Sequence, residues 1–173
     1  MSSFCWCIIK TDKDLKGSFF SEYKKNNICC IFDKDRNRFL DKSLAMDEIF
    51  CNIACGYDNV PHLSPKGILN NCDQFFGYVF PKKRKICDMD ILVSAKCELK
   101  KRLEVFQSVI FDIYSLDNVR SLTLYFTETA NERSLFEYQH MDWKVEEISI
   151  KLFELIEYNH GLLSAFTLEL KKR

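Results

Sequence analysis

The sequence predicts an α+β fold in which helices pack on a mainly antiparallel β-sheet. Two observations support this prediction. Short segments carry apolar residues in alternation or in continuous runs, which is typical of strands, and longer segments carry them at spacings of three and four, which is typical of helices. A chain of 173 residues has about the length of one domain, and no linker rich in Gly, Ser or Pro divides it. We therefore expect residues 1–173 to form a single α+β domain.

The first two predicted strands are apolar on both faces. In Phe4–Ile9 both alternating sets of residues are apolar, and Ile28–Phe32 is a continuous apolar run. Because strands of this kind are covered on both sides, we expect these two at the centre of the sheet and not at an exposed edge. Between them, Lys10–Lys25 carries apolar residues at three- and four-residue spacings, which favours a short helix.

A helix, a loop and a further strand are expected in the next part of the chain. Ser43 and the acidic residues after it are typical of a helix start, because the hydroxyl accepts a backbone N–H and carboxylates favour the positive end of a helix. We expect this helix over 44–55, ending at Gly56. Two prolines predict a loop over 59–65, and Phe75–Phe80 has the apolar character of a strand.

The strongest helical periodicity in the chain begins at Leu92. Apolar residues recur from there at steps of three and four and so fall on one face of a helix. They are Leu92, Ala95, Leu99, Leu103, Phe106, Ile110 and Ile113. The start of this helix stays open, because Ile86–Val93 can instead form the second strand of a hairpin with Phe75–Phe80, turning at the exposed basic segment 81–85.

A strand, a helix and a strand are predicted in the last third of the chain. Leu122–Thr127 alternates apolar and polar residues, as a strand with one buried face does. Trp143–Asn159 carries an apolar stripe at helical spacing, and Gly161 lies just past its end, where a helix C-terminus favours Gly. Leu163–Leu170 alternates again. We expect the helix to cover the sheet that these strands join.

The nine cysteines are expected to be reduced, buried thiols. Their number is odd, and the N-terminus lacks the basic start and cleavage site of an export signal, so we expect the reducing cytoplasm as the compartment. None of the closely spaced pairs has the spacing of a zinc site. These pairs are Cys5/Cys7, Cys29/Cys30 and Cys51/Cys55. We expect no metal and no other cofactor.

No segment carries a recognised catalytic signature. The chain lacks a Gly-rich phosphate loop, an H-E-x-x-H helix and a G-x-S-x-G turn, so we expect a protein that is not an enzyme. A small enzyme of unrecognised type stays as an alternative. The apolar stretches are also too short for a membrane span, so we expect no membrane partner.

The charges cancel over the whole chain but not locally. Twenty-five Lys and Arg balance twenty-five Asp and Glu, so no overall field attracts nucleic acid. Segment 82–102 holds eight basic and three acidic residues, which makes a nucleic-acid-associated protein the alternative function. No stacking aromatics lie between these charges, so we do not expect nucleic acid as the partner.

The opposite imbalance lies in Glu128–Glu157, with eight acidic and three basic residues. Part of this segment is a predicted loop over 129–142 that also carries aromatic residues. Aromatic side chains surrounded by carboxylates are typical of a surface that binds a basic protein. The predicted partner-binding residues are Glu128, Glu132, Glu137, Asp142, Trp143, Glu146 and Glu147. The alternative is a solvated helix face beside a loop whose aromatics fold back into the core.

Three segments give the last third its strand–helix–strand order: S-L-T-L-Y-F-T-E at 121–128, the helix from W-K-V-E-E-I to N-H-G at 143–161, and S-A-F-T-L-E-L at 164–170. In this pattern the chain resembles the small cytosolic immunity proteins that bacteria encode beside toxins of contact-dependent growth inhibition and related polymorphic toxin systems. The resemblance implies a non-enzymatic protein that binds a cognate toxin domain and covers its active site or substrate surface. Most such toxins are nucleases, whose cationic substrate surfaces attract carboxylates.

Overall fold

The computed structural model describes residues 3–12, 22–25, 28–33, 44–55, 75–77, 89–128, 139–161, 163 and 165–172. Over these residues the fold is α+β, as predicted. The elements in chain order are β1 (Ser3–Thr11), β2 (Glu22–Lys25), β3 (Ile28–Asp33), β4 (Glu48–Cys55), α1 (Met89–Tyr114), β5 (Val119–Glu128), β6 (Gln139–Met141), a 3-10 turn (Val145–Glu147), α2 (Ile148–Tyr158) and β7 (Phe166–Lys171).

The seven described strands form one sheet, in the order β2-β3-β4-β1-β5-β7-β6. All neighbouring strands are antiparallel except β6 and β7, which are parallel. The sheet is therefore mixed, although mainly antiparallel. β1 lies in the middle and β3 lies between β2 and β4, so the prediction that neither N-terminal apolar strand is an edge strand is confirmed.

One face of the sheet carries the main core, because residues directly opposite each other on neighbouring strands share a face. In the middle of the sheet, Cys7 of β1 lies opposite Cys51 on one side and Leu124 on the other, and all three are fully buried. The apolar stripes of both helices belong to the same core. The buried stripe residues include Leu99, Leu103, Phe106 and Ile110 of α1 and Ile148, Leu152 and Ile156 of α2. The two strongest helix predictions are thus confirmed.

The other face of the sheet is also covered at its centre. Ile8 of β1, Phe50 of β4 and Tyr125 of β5 are buried there in a smaller cluster. The half-buried Trp6 packs edge-on against Phe50, with ring centroids 5.6 Å apart. Burial on both faces explains why β1 is apolar at consecutive positions.

The helix predicted over 44–55 is wrong, since Glu48–Cys55 is strand β4. The residues that resemble a helix start form a single turn over 45–48. The Ala45 N–H donates to a carboxylate oxygen of Glu48 at 3.0 Å, and the Glu48 N–H donates to the Ala45 carbonyl at 3.0 Å. Ile49, Cys51 and Ile53 then follow at a spacing of two and are buried between β1 and β3. Pairing on both sides outweighs a local cap, because helix propensities differ by only tenths of a kcal/mol per residue, up to about 0.7.

Other local predictions are wrong in part. Glu22–Lys25 is an edge strand and not the end of a helix, Phe75–Gly77 form a turn and not a strand, and Gln139–Met141 form a strand within the predicted loop. Met89–Val93 belong to α1, which rules out the hairpin for those residues. Residues 13–21, 56–74, 78–88 and 129–138, which include the loop predicted over 59–65, lie outside the described residues.

The end of α2 agrees with the sequence prediction. Gly161 has a φ of 94°, and its N–H donates to the Ile156 carbonyl at 2.8 Å. The helix ends in a Schellman motif, in which His160, with a φ of 56°, holds the left-handed position and its N–H donates to the Glu157 carbonyl at 3.1 Å. Gly161 follows it, and its positive φ has no steric cost because Gly lacks a Cβ.

Four phenylalanine rings join α1 and the 75–77 turn to the sheet. Phe76 and Phe106 pack edge to face at 5.0 Å, Phe76 lies 5.4 Å from Phe126, and Phe126 stacks on Phe166 at 4.5 Å. All four side chains are almost fully buried. Each ring removes apolar area from water and adds a favourable aromatic contact.

Replacing Phe126 by Ala should therefore lower the free energy of unfolding by about 3–5 kcal/mol, because a ring is lost at the centre of this group. Thr123→Ala is the matched control, since Thr123 is half-buried on the other face of the same strand; it should cost less than about 1 kcal/mol. Urea unfolding monitored by circular dichroism measures both. Equal losses in the two variants would contradict the role given to the rings.

Edge strand β2 is tied to α1 through Asp112. The Tyr23 hydroxyl donates to Oδ2 of Asp112 at 2.6 Å, and Nζ of Lys25 lies 2.9 Å from the same oxygen. These two donors lower the pKa of Asp112. Burial, with the nearby carboxylate, raises the pKa of Tyr23 to about 12.

The Asp112 contacts should weaken in acid. A carboxyl whose pKa is lower in the folded chain stabilises the fold at pH values above its ordinary pKa of 3.8, and the contribution is lost as pH falls through the folded value. Lys25 and Asp112 are both more than a third exposed, so solvent screening limits the ion pair to less than about 1 kcal/mol. The difference in unfolding free energy between the parent and Asp112→Asn should be largest at neutral pH and shrink towards about pH 2. A difference that stays constant with pH would show that the charge of Asp112 has no such role.

Candidate functional site

A cleft opens at the end of the sheet where β6 is shorter than β7. β6 pairs only with Phe166–Leu168, and the chain then leaves the sheet and curves past the second half of β7. The cleft has a volume of about 600 Å³. Its lining residues are Tyr114, His140, Asp142, Trp143, Lys144, Val145, Glu146, Glu169, Leu170 and Lys171.

One wall of the cleft is held in place by Trp143 and Val145. Trp143 is half-buried and packs on Phe166, with ring centroids 5.4 Å apart, and Val145 is buried in the core. The turn that begins at Lys144 is closed by Glu147, whose carboxylate accepts the Lys144 N–H at 2.9 Å while the Glu147 N–H donates to the Lys144 carbonyl at 3.0 Å. The backbone that carries Asp142 and Glu146 is therefore fixed on both sides.

The facing wall belongs to β7 and the last turn of α1. The Tyr114 hydroxyl donates to the Lys171 carbonyl at 2.9 Å. The ammonium group of Lys172 lies 5.5 Å from the centre of the Tyr114 ring and donates to the Leu116 carbonyl at 2.5 Å. These contacts fix the end of β7, which carries Glu169 and Lys171 to the cleft.

The charges of the cleft leave an excess of carboxylate. Nζ of Lys171 lies 3.0 Å from Oε2 of Glu169, so these two groups neutralise each other. The other charged lining residues are the acidic Asp142 and Glu146 and the basic Lys144, and all three are exposed. The ring nitrogen Nδ1 of His140 lies 3.3 Å from the Thr167 hydroxyl, which orients the ring at the rim. The cleft can thus hold a cationic group beside an aromatic surface.

The predicted partner-binding residues are separated by the fold. Asp142, Trp143 and Glu146 line the cleft, while the carboxylate of Glu147 closes the turn behind it. Glu128 lies at the far end of β5, where it pairs with Ser3, whereas the cleft lies beside the opposite end of that strand. Glu132 and Glu137 lie outside the described residues.

Seven of the ten lining residues are not among the predicted partner-binding residues. They are Tyr114, His140, Lys144, Val145, Glu169, Leu170 and Lys171. Glu169 and Lys171 alternate with the buried residues of β7 and so look like solvated strand positions. Tyr114 follows the last apolar residue of the α1 stripe. Only the pairing of β6 with β7 brings these side chains to a common cleft, and three-residue β6 has no apolar pattern from which that pairing follows.

The basic segment is largely engaged in internal contacts. Three of the four Lys and Arg side chains that α1 contributes to it have partners within the described residues. Lys96 forms an ion pair with Glu157, Nζ of Lys100 lies 4.7 Å from the centre of the Phe153 ring, and Arg102 donates to the carbonyls of residues 75 and 77. These contacts hold α2 and the 75–77 turn on α1. Residues 82–85 lie outside the described residues.

No disulfide is formed among the six cysteines whose side chains the structure describes, and of these six only Cys97 is exposed. Burial raises the pKa of the Cys7 and Cys51 thiols well above its ordinary value. Both thiols therefore stay neutral and pack as small apolar groups, which gives them little nucleophilic reactivity. Within the described ranges no group of three or more His, Cys, Asp or Glu side chains is arranged to hold a metal ion.

Comparisons with known proteins do not place the chain in a family. It matches no protein-family model, and neither a curated protein nor a solved structure matches it significantly. In the part of the chain that the structure describes, neither helix combines the length and the apolar character that crossing a membrane requires.

Proposed function

We propose that this protein binds another protein at the cleft and that it is a cytoplasmic immunity protein, which neutralises a cognate toxin domain by covering its active site or substrate surface. The observation that carries the proposal is the meeting of Asp142, Trp143 and Glu146 at one cleft. Binding surfaces commonly have an aromatic residue in a pocket, surrounded by a polar rim that keeps water out.

The charge of the cleft suits a toxin that acts on nucleic acid. Nucleases bind their substrates through cationic surfaces, and a carboxylate-rich surface is attracted to them. Such attraction mainly speeds association, whereas a buried aromatic or a desolvated carboxylate supplies most of the affinity. Asp142 and Glu146 fit the first role, and the half-buried Trp143 fits the second.

The alternative, direct binding of nucleic acid by segment 82–102, has less support. Lys96, Lys100 and Arg102 are used in contacts within the protein. Releasing them would cost those contacts, and phosphate binding would have to offset that cost. Binding of a protein at the cleft needs no such rearrangement, and the function proposed here needs no cofactor and no catalytic residue.

Co-expression in cells tests the proposal. The toxin domain encoded upstream of this gene would be induced together with the parent chain or with the double variant Asp142→Lys, Glu146→Lys. We expect the parent to restore growth and the double variant to fail, with a roughly tenfold slower association rate measured by surface plasmon resonance. Its melting temperature should stay within about 4 °C of the parent value, because both positions are exposed.

The matched control is Glu98→Lys with Glu154→Lys. It makes the same change in charge at two exposed helix positions that do not line the cleft. This control should protect as well as the parent does. Full protection by the cleft variant, or equal loss in both double variants, would contradict binding at the cleft. An upstream gene that encodes no toxin domain would contradict the immunity function itself.

A further inference from the structure

The cleft has the chemistry of a receptor for one side chain. We propose that it takes an arginine side chain of the partner protein, with the guanidinium group beside the Trp143 ring and within reach of Asp142 and Glu146. This inference rests on the proposed function, because it names the group through which the partner would enter. Its basis is the lining of the cleft, in which aromatic and apolar surface lies next to carboxylates.

The charges of the cleft favour a cation over an anion once the Glu169–Lys171 ion pair is set aside. The ammonium group of Lys171 is held by Glu169, which leaves two carboxylates against the single ammonium group of Lys144. At the N-terminal end of α2, the Ser149 N–H is not available to an anion, since it already donates to Oε1 of Gln107 at 2.8 Å. Glu146 and Glu147, in the turn before α2, further oppose a negative ligand.

Arginine is favoured over lysine by the aromatic lining. Its planar guanidinium group stacks on aromatic rings and binds carboxylates through paired N–H donors, while a lysine ammonium group is compact and strongly hydrated. Trp gives the strongest cation–π attraction of the aromatic residues. Trp143 is held on one side by Phe166 and lines the cleft as well, so it offers a ring already fixed in position.

Short peptides test this inference without the toxin. Acetyl-Gly-Arg-Gly-amide would be titrated into the ¹⁵N-labelled chain while the two indole N–H signals are followed by NMR. We expect the Trp143 signal to shift, with a dissociation constant in the range of about 1–10 mM. Trp6 is an internal reference, because it lies among the apolar residues on the other face of β1. The same peptide with citrulline, the neutral analogue, should bind roughly fivefold more weakly.

Two variants distinguish recognition by the cleft carboxylates from a general effect of removing negative charge from the protein. Asp142→Asn with Glu146→Gln should weaken binding of the arginine peptide by roughly threefold or more, and Glu154→Gln should leave it unchanged. Equal binding of the citrulline and arginine peptides would overturn the inference. A shift of the Trp143 signal with inorganic phosphate, in the absence of any shift with the arginine peptide, would also overturn it.

The peptide titration and the growth assay fail independently. If the parent chain protects cells through the cleft but binds no arginine peptide, the arginine inference is wrong and the proposed function stands. If the arginine peptide binds as expected but the chain gives no protection, the cation site stands and the immunity function is wrong.

Discussion

The pairing of β1 with β5 is the constraint on which the rest of the structure depends. It joins residues 3–11 to residues 119–128, and β1 also pairs with β4 on its other side. Closing so long a stretch of chain costs conformational entropy, which grows slowly with loop length and must be offset by buried apolar surface. Fully buried Cys7 and Ile9 lie opposite fully buried Leu124 and Leu122, so this ladder runs through the centre of the core.

The cleft depends on the same ladder through a series of contacts. β5 holds β7 in register, Phe126 stacks on Phe166, and Phe166 supports Trp143. Trp143 then fixes the turn that carries the cleft carboxylates. A side chain positioned by packing of this kind loses little conformational freedom on binding, which favours affinity. Trp143 is half-buried: its ring packs on Phe166 of the core, and the residue also lines the cleft. It therefore fits both interpretations of the acidic segment, a protein-binding surface and a loop whose aromatic residues fold back into the core.

The sequence predicts the elements that are long or strongly periodic. The prediction is wrong where pairing with distant strands, and not the local pattern, determines the secondary structure. The helices α1 and α2 and the strands β1, β3, β5 and β7 follow from periodicity, because one face or both faces of each are buried. β4 was predicted as a helix, since Ser43 and Glu48 resemble a helix start and the strand neighbours that override this signal are distant in the chain. Among the residues that line the cleft, Asp142, Trp143 and Glu146 belong to the set that composition predicts, whereas Tyr114 and Glu169 come from elements that meet only in the folded chain.

Native-state hydrogen exchange followed by NMR tests most directly whether the β1–β5 ladder holds the fold together. The amides of Cys7 and Leu124 should exchange only through global unfolding, so their opening free energies should equal the free energy of unfolding from urea denaturation. The amides of the short edge strand β6 should exchange through local opening at a lower free energy. If Cys7 and Leu124 exchange as readily as β6 does, the ladder is not the element on which the structure depends.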